Sequence, residues 1–418
     1  MLKHNYQFWH QVFSDRQLVC IAHLLRAIRA IEEPHVRMLF ACLFSGVLEF
    51  HNLFTSFKGE GTGAVRHMFA HHVLKPEVMP LEANIWGTSK SSGAFSGLFH
   101  SRAERALAYK ANPAEWRVKR SKATPIAGIN RPLDVDVVQS FADFTADASS
   151  VYLSAGDSSS IDLPDKSVDV VVTDPPFFDN VHYSQLADFF YYWLNQLLDL
   201  SATTTTRCEN EVQDTDPERF KTKMTAVFAE CARVLRKNGL FIFTYHHARH
   251  EGWTAVHEAI RHAGFVCVQA YPIKAEMSVA MPLQQAKSPI HLDLILVCRR
   301  DGLTAAESVH DHTMHAALTT AQAQISALSQ AGIKVSLGDA KVILMGRLLC
   351  EVHKGRHLAS EAKLLVEVEQ DLDSYVSQVI RAKGEVLYEE PQPEQLMLFE
   401  SMEEYLAHPQ QQRTTNRR

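Results

Sequence analysis

The fold is decided by the stretch Thr173-Asp174-Pro175-Pro176-Phe177-Phe178-Asp179-Asn180, which directly follows the apolar run Val168-Asp169-Val170-Val171-Val172. A run so rich in β-branched residues is typical of a parallel strand that is buried on both faces. The Asp-Pro-Pro sequence ends that strand abruptly. Open α/β sheets bind their ligands beyond the carboxyl ends of the strands. We therefore expect a central parallel strand here, with a functional site immediately after it.

The Asp-Pro-Pro-Phe segment offers hydrogen-bond acceptors in a rigid frame. Two successive prolines restrict φ and favour extended geometry before them, so the Asp174 carboxylate and the Pro175 carbonyl oxygen are held in place. Such acceptors suit the exocyclic amine of a flipped base, whose lone pair is delocalised into the ring. Phe177 then offers a flat face for the base, a contact worth about 1–3 kcal/mol. The alternative is an ordinary strand-ending turn. The candidate catalytic residues are Asp174, Pro175, Pro176 and Phe177.

The composition indicates a globular protein of more than one domain. A chain of 418 residues is long enough for about two or three domains. Hydrophobic residues make up 46% and charged residues 22% of the chain, which is typical of globular proteins. The formal net charge of −6 argues against a generally basic nucleic-acid binder. Any contact with DNA must therefore come from a local basic surface.

The cysteines and the apolar segments favour a cytoplasmic protein. The seven cysteines are widely spread and form no Cys-x-x-Cys pair, so we expect buried thiols rather than disulfides or a zinc site. The first residues lack the apolar stretch of a signal peptide. The most apolar segment, Met38 to Phe50, is about 13 residues long and too short to span a bilayer.

A local basic segment lies between Ser101 and Arg131. The sequence places only two acidic residues, Glu104 and Glu115, among its cations. Neutralisation of phosphates by such cations supplies most of the affinity of a protein for nucleic acid. We therefore expect a DNA-contacting surface here, with an ordinary solvated face as the alternative. The candidate DNA-binding residues are Arg102, Arg105, Arg117, Lys119 and Arg120.

The order of the elements predicts four regions. Residues 1–135 are expected to be helical and irregular, with one helix capped by Ser14 or Asp15 that ends at Pro34 and a second over residues 35–53. The glycine-rich loop 59–63 lacks the preceding strand of a phosphate-binding loop, so a connector is the better interpretation. Residues 136–300 alternate strands and helices, residues 301–385 form a helical extension, and residues 386–418 form a disordered tail.

Within residues 136–300 the predicted strands are 151–155, 168–172, 240–245, 265–271 and 292–298, and the predicted helices are 184–200, 217–235 and 253–262. Asp216-Pro217 opens one helix and Asn238-Gly239 is expected to end it. In the predicted helix 184–200, the aromatic residues Phe189, Phe190 and Trp193 are expected to lie in a core. The last two strands have no crossover helix between them, so they should pair antiparallel.

At this point the chain resembles the amino-methylating DNA methyltransferases, and more closely the large adenine-specific DNA methylase family of bacteria and archaea. The resemblance covers roughly residues 5–300. The residues that carry it are Arg66-His67-Met68-Phe69, Pro80-Leu81-Glu82-Ala83-Asn84-Ile85-Trp86-Gly87, Ser91-Ser92-Gly93, Thr173 to Asn180 continuing into Tyr183, and Arg233-Val234-Leu235-Arg236-Lys237-Asn238-Gly239.

The resemblance implies an α/β fold with a Rossmann-like methyltransferase sheet, an N-terminal helical region and a C-terminal helical extension. It implies transfer of a methyl group from S-adenosylmethionine to adenine N6 in DNA, as in restriction–modification, with cytosine N4 or RNA as variants. Asp174, Pro175 and Phe177 fall on the catalytic motif of the family. Asp157, with Gly156 and Ser158, falls on the acidic turn that lies near the adenine of the cofactor.

The sequence departs from the family at the cofactor loop. The family holds the methionine half of the cofactor with a strand ending in Asp-x-Phe-x-Gly-x-Gly, and neither that strand nor the next is found here. The chain is therefore expected to lack the first two strands of the sheet. Three explanations remain open: a split enzyme whose second polypeptide supplies the loop, a truncated or decayed gene product, or a distant segment that replaces the loop. A non-catalytic subunit that binds DNA or braces a partner is the rival function.

The histidines that follow the strand 240–245 are given a structural interpretation. His246, His247 and His250 have no cysteine or carboxylate at ligand spacing, so we expect them on the rim of the cleft and expect no metal site.

Overall fold

The computed structural model describes most of the chain up to residue 377. The described residues are 4–57, 65–69, 74, 76–77, 80–87, 93–119, 122–126, 134–145, 150–178, 181–200, 203–274, 290–300, 310–354, 365–368 and 374–377, and the side chains of 118–119, 122–123 and 310–312 are outside the description. Within these residues the chain is a mixed α/β protein. The glycine-rich loop 59–63, much of the later part of the predicted helical extension and the predicted tail 386–418 lie outside the described residues.

The helices are α1 (Asp15–Arg29), α2 (Pro34–Phe50), α3 (Phe95–Leu98), α4 (Arg105–Ala111), α5 (Tyr183–Leu198), α6 (Pro217–Val234), α7 (His250–His262), α8 (His310–Gln330) and α9 (Leu337–Val352). Short 3-10 turns cover Trp9–Val12 and Phe141–Asp143, and a π turn covers Phe99–Glu104. The strands are β1 (Ser56–Phe57), β2 (Val65–Arg66), β3 (Glu115–Lys119), β4 (Lys122–Ile126), β5 (Asp136–Val138), β6 (Ser150–Tyr152), β7 (Val168–Thr173), β8 (Leu235–Tyr245), β9 (Phe265–Lys274) and β10 (Leu292–Arg300).

Side-chain caps fix the helix starts that the sequence predicted. Ser14 caps α1 and accepts a hydrogen bond from the Gln17 amide, and Asp216 caps α6 in the same way. One predicted helix end is wrong, because Pro34 is the first residue of α2 and α1 already ends at Arg29. Proline suits the first turn of a helix, where its missing N–H has no intrahelical partner.

The Asn238-Gly239 pair does not end a helix, which corrects a second expectation. Helix α6 ends at Val234, and Asn238-Gly239 lies within β8. The register between β7 and β8 shifts at this point, and a Cβ atom at Gly239 would lie 2.7 Å from the Asp169 carbonyl oxygen. Glycine is needed here for a close approach of two strands, as is common at irregularities in a ladder.

The largest sheet of the described chain has four strands in the order β7-β8-β10-β9. Strands β7 and β8 are parallel, whereas β10 pairs antiparallel with both β8 and β9. The predicted antiparallel pairing of the last two strands is confirmed. A separate parallel pair is formed by β5 and β6.

The two faces of this sheet differ in burial. One face packs against α6, α7 and α9, and its side chains are fully buried: Phe241, Phe243, Tyr245, Leu294, Leu296 and Cys298. The other face carries Val172, which is 73% exposed, and Tyr271, which is 50% exposed. Within the described residues β7 is an edge strand, so the expectation of a central strand buried on both faces is wrong for this part of the chain.

A second core lies among the helices before the sheet. Residues of α1 and α2 pack with α5, whose Phe189, Trp193 and Leu197 are buried. The prediction that Phe189, Phe190 and Trp193 lie in a core is confirmed, although Phe190 is only partly buried there. Helix α5 follows the Asp-Pro-Pro segment in the chain, yet its apolar side joins the helical core rather than the core of the sheet.

All seven cysteines are free. The expectation of buried thiols holds for Cys231, Cys267, Cys298 and Cys350 but is wrong for Cys42 and Cys208, which are exposed. No helix in the described ranges has the length and apolar character needed to cross a membrane.

Candidate active site

The Asp174 carboxylate lies at the carboxyl end of β7, beside the end of β8. Thr173 pairs with Phe243 in the parallel register, which brings Asp174 next to Thr244. The Thr244 hydroxyl donates a hydrogen bond to Asp174 Oδ1. Asp174 is nevertheless exposed, and a carboxylate has lone pairs for further donors. The acceptor is therefore both oriented and open to a ligand.

The proline pair and Phe177 continue along this edge of the sheet. Pro175 is buried and Pro176 is half-buried, so the backbone between them is packed against the protein. The Phe177 ring lies edge-on to His246, with centroids 4.8 Å apart, and to Tyr245 at 5.4 Å. Edge-to-face pairs of this kind fix the orientation of a ring. Phe177 is half-buried, so part of its surface is left for another ring.

Phe178 anchors the segment, a role that sequence reasoning missed. Its φ is 52°, a left-handed conformation that is rare for a bulky residue. Burial of its side chain offsets this strain: the ring packs 5.2 Å from Phe220 and 5.5 Å from His247, and the Arg249 guanidinium lies 5.6 Å above it. The second of two consecutive aromatic residues was the available signal, because one ring can serve as an anchor while the other faces a ligand.

His246 has a carboxylate partner that the spacing of the sequence did not reveal. Asp293 of β10 places Oδ1 3.3 Å from His246 Nδ1, and both side chains are largely buried. The signal was a single acidic residue in the otherwise apolar stretch Leu292 to Val297. Because His246 contacts Phe177, the pair of His246 and Asp293 helps to hold the Phe177 ring in place. His247 is also buried rather than at a surface rim. Among the described residues no cluster of metal-ligating side chains is arranged to hold a metal ion.

A cavity of about 220 Å³ lies just past the end of β8, next to Phe178. Neither Asp174 nor Phe177 lines it, so it is separate from the acceptor site. Its lining combines basic and apolar side chains from the connection between β8 and α7, from α7 and from α9: His247, Arg249, His250, Trp253, Lys341 and Met345.

The predicted cofactor turn at Gly156, Asp157 and Ser158 is exposed, and Asp157 is well supplied with donors. Its Oδ1 accepts from the Ser159 amide at 2.8 Å and the Ser159 hydroxyl at 2.7 Å, and Oδ2 accepts from the Asn210 side chain at 3.0 Å. The hydrogen bonds from Ser159, followed by that from Asn210, lower the pKa of Asp157. The turn therefore presents a carboxylate that stays ionised near neutral pH.

If S-adenosylmethionine binds here, Gly156, Asp157 and Ser158 would hold its adenosine end. A Cβ atom at Gly156 would meet no other atom within 4 Å, so the turn is open enough for a purine to approach. An exposed, ionised Asp157 can accept hydrogen bonds from an adenosine group. The ammonium and carboxylate of the methionine end need the glycine loop that the sequence lacks.

The predicted DNA-binding residues lie on a different part of the chain. Arg102, Arg105 and Arg117 are exposed, and Arg102 Nη1 would lie 2.8 Å from a Cβ atom at Gly46, so its guanidinium contacts α2. The side chain of Lys119 and the whole of Arg120 lie outside the described residues.

The four predicted catalytic residues are consecutive in the chain, and the structure adds neighbours that sequence reasoning did not assign to the site, from the end of β8, the position just after it and β10: Thr244, Tyr245, His246 and Asp293. Asp157 of the predicted cofactor turn accepts hydrogen bonds from Ser159 and Asn210, which are not among these residues. No protein-family model, curated protein or solved structure matches the chain.

Proposed function

We propose that the chain transfers a methyl group from S-adenosylmethionine to the exocyclic amine of a flipped base in DNA, adenine N6 in the first instance, as one half of a split enzyme. The observation that carries the proposal is the Asp174 carboxylate, oriented by Thr244 and exposed at the open end of β7. The adjoining proline pair and Phe177 complete an acceptor site beside a flat apolar surface.

In this mechanism the chain supplies position rather than a strong base. Flipping the base costs a few kcal/mol and delivers its amine to the acceptors. Asp174 accepts one amine hydrogen and the Pro175 carbonyl oxygen accepts the other, which draws the nitrogen lone pair out of conjugation. Phe177 stacks on the base and is itself held by His246. When bound, S-adenosylmethionine supplies an electrophilic methyl group. The proton released from the amine passes to Asp174 and from there to solvent, since this carboxylate is exposed.

The open face of the four-stranded sheet supports the split form of the proposal. Parallel strands normally have both faces covered, yet Val172 is 73% exposed and Val170 on the same face is also exposed. We infer that the sheet is the second half of a Rossmann-like methyltransferase sheet. The second polypeptide would add a parallel strand beside β7, cover this face and supply the missing glycine loop.

The decisive experiment measures transfer of labelled methyl groups to DNA. The purified chain alone should transfer none, and adding the polypeptide encoded immediately upstream should produce activity. Val172→Lys should abolish the reconstituted activity by blocking assembly, whereas Val19→Lys, at a similarly exposed valine of α1, should not. Full activity of the lone chain would contradict the split form. A strand ending in Asp-x-Phe-x-Gly-x-Gly in the upstream reading frame would support it.

A non-catalytic subunit that binds DNA or braces a partner is the second candidate, favoured by the incomplete cofactor site. Asp174→Ala in the reconstituted complex separates the two functions. Loss of one preorganised group commonly costs about a hundredfold or more in rate, and we expect at least that here. Unchanged activity would favour the bracing role. The control is Asp134→Ala, which removes another exposed carboxylate.

A further inference from the structure

The segment 105–126 forms an arm that extends from the helical core. The arm consists of α4 and the antiparallel hairpin of β3 and β4. Its base is anchored by the π turn, where Ala103 is buried and the Phe99 ring lies 5.9 Å from Phe40 of α2. Beyond this base, every arm side chain that the structure describes is at least partly exposed.

Three large apolar side chains of the arm are exposed to solvent. Leu107 is 64% exposed, Trp116 is 59% exposed and Tyr109 is also exposed. A two-stranded hairpin with no packed face is only marginally stable by itself. Exposed tryptophan and tyrosine are typical of surfaces that meet a partner, because each offers a large flat ring with a polar tip.

The charges of the arm indicate what that partner is. Arg105, Lys110 and Arg117 are exposed, and the strand register ends with Lys119 opposite Lys122. Glu115 is the acidic residue of the arm sequence. An arm that carries both exposed cations and exposed aromatic rings matches a nucleic-acid strand, whose phosphates attract the cations and whose bases stack on the rings.

We propose that the arm holds a nucleic-acid strand, with Trp116 stacked on an unpaired base and with Arg105, Lys110 and Arg117 at phosphates. The inference rests on the proposed function, because flipping a base leaves the opposite base of the pair without its partner. It goes further in two ways. It assigns contact with a base to Trp116, which lies outside the acceptor site, and it predicts tighter binding of unpaired strands than of duplexes.

The test uses the full chain and a fluorescently labelled oligonucleotide, single-stranded and as a duplex, with binding followed by anisotropy. Trp116→Ala should weaken single-strand binding by about five- to a hundredfold, and Trp116→Phe should restore much of it. Arg117→Gln should reduce the slope of log affinity against log salt by about 0.7 to 1. Trp86→Phe, at another exposed tryptophan, is the control and should bind as the unaltered chain does.

Unchanged affinity of Trp116→Ala would overturn the inference. A change of oligomeric state in that variant, measured by light scattering, would also overturn it and would identify the arm as a contact between protein chains. Binding is measured without cofactor or methyl transfer, so the outcome is independent of catalysis. Asp134→Ala, which removes an exposed carboxylate outside the acceptor site, should bind the oligonucleotide normally. If the arm binds as expected and no methyl transfer is ever observed, the proposed function fails and the arm inference stands.

Discussion

The two faces of the four-stranded sheet carry similar residues in opposite surroundings. Along β8, Phe241, Phe243 and Tyr245 are fully buried under helices, whereas Ile242 and Thr244 between them are only half-buried. On β7 the contrast is larger, because Val171 packs on the core and Val172 faces solvent. Both faces of the sheet therefore carry apolar residues, but helices of the described chain cover only one of them. The open face is the one that carries Thr244, the partner of Asp174.

The largest expected difference between the faces is in stability. Leu296→Ala on the covered face should lower the free energy of unfolding by about 2–5 kcal/mol, since it removes buried methyl groups and leaves a cavity. Val172→Ala on the open face should change it by about 0.5 kcal/mol or less. Urea unfolding of the lone chain measures both. Equal effects would mean that the open face is covered in solution.

Lowering the pH should reduce the stability of the protein through a buried histidine pair on the covered side of the sheet. His353 Nδ1 accepts from the Cys267 amide at 2.8 Å, so its proton is on Nε2, which donates to His257 Nδ1 at 2.8 Å. Burial, followed by the charge of Arg261, lowers the pKa of His257 to about 3, and burial lowers the pKa of His353 well below its usual value.

As the pH falls, the unfolded chain therefore binds a proton at each of these two histidines before the folded chain does. The stability from the neutral pair is fully present above about pH 6.5, the unfolded pKa of histidine, and is lost as pH falls towards the lower folded values, by about 1 kcal/mol per pH unit for each histidine. Urea unfolding from pH 7 to pH 5 should show this slope. His257→Gln should flatten it, and His23→Gln, at an exposed histidine, should leave it unchanged.

A partner should remove part of the difference between the faces. Once the second polypeptide covers the sheet, Val172 becomes a core residue, and Val172→Ala should weaken assembly by about 1–2 kcal/mol, or roughly five- to thirtyfold in affinity. Titration calorimetry with the upstream polypeptide measures this change. Val19→Ala serves as the matched exposed valine. An unaltered affinity in Val172→Ala would place the partner elsewhere.

The smallest effect on stability, with a clear effect on rate, is expected at Thr244. Thr244→Val keeps the shape of the side chain but removes the hydroxyl that orients Asp174. The rate of the reconstituted enzyme should fall about ten- to a hundredfold with little change in KM for DNA, because one hydrogen bond to a charged group is worth about 1.5–3 kcal/mol. Thr244→Ser should restore the rate. A loss confined to KM would argue that Thr244 acts in binding alone.

Local signals in the sequence predicted the features that depend on a few neighbouring residues. The Asp174 strand end, the Asp216 helix cap and the hairpin of β9 and β10 are of this kind. The pairing of Thr244 with Asp174 joins residues 70 positions apart, and it follows from a register that no local pattern encodes. Asp293 reaches His246 for the same reason.

The remaining errors came from residue types that serve more than one purpose. Glycine ends helices, but it also permits close contact between backbones, and at Gly239 the second use applies. A β-branched run predicts burial, but it does not say whether the cover belongs to the same chain, and β7 is the case in point.

Phe178 and Phe189 stand on either side of a short connection, and each is locked into a different core, the first beneath the sheet and the second among the helices. Asp174 lies four residues before Phe178, on the side of the sheet. Because the buried Phe178 ring stands between Asp174 and the helical core along the chain, a shift of that core, for instance as the arm engages a ligand, reaches Asp174 only if Phe178 moves as well. Phe178 therefore keeps the alignment of the acceptor carboxylate independent of movements among the helices.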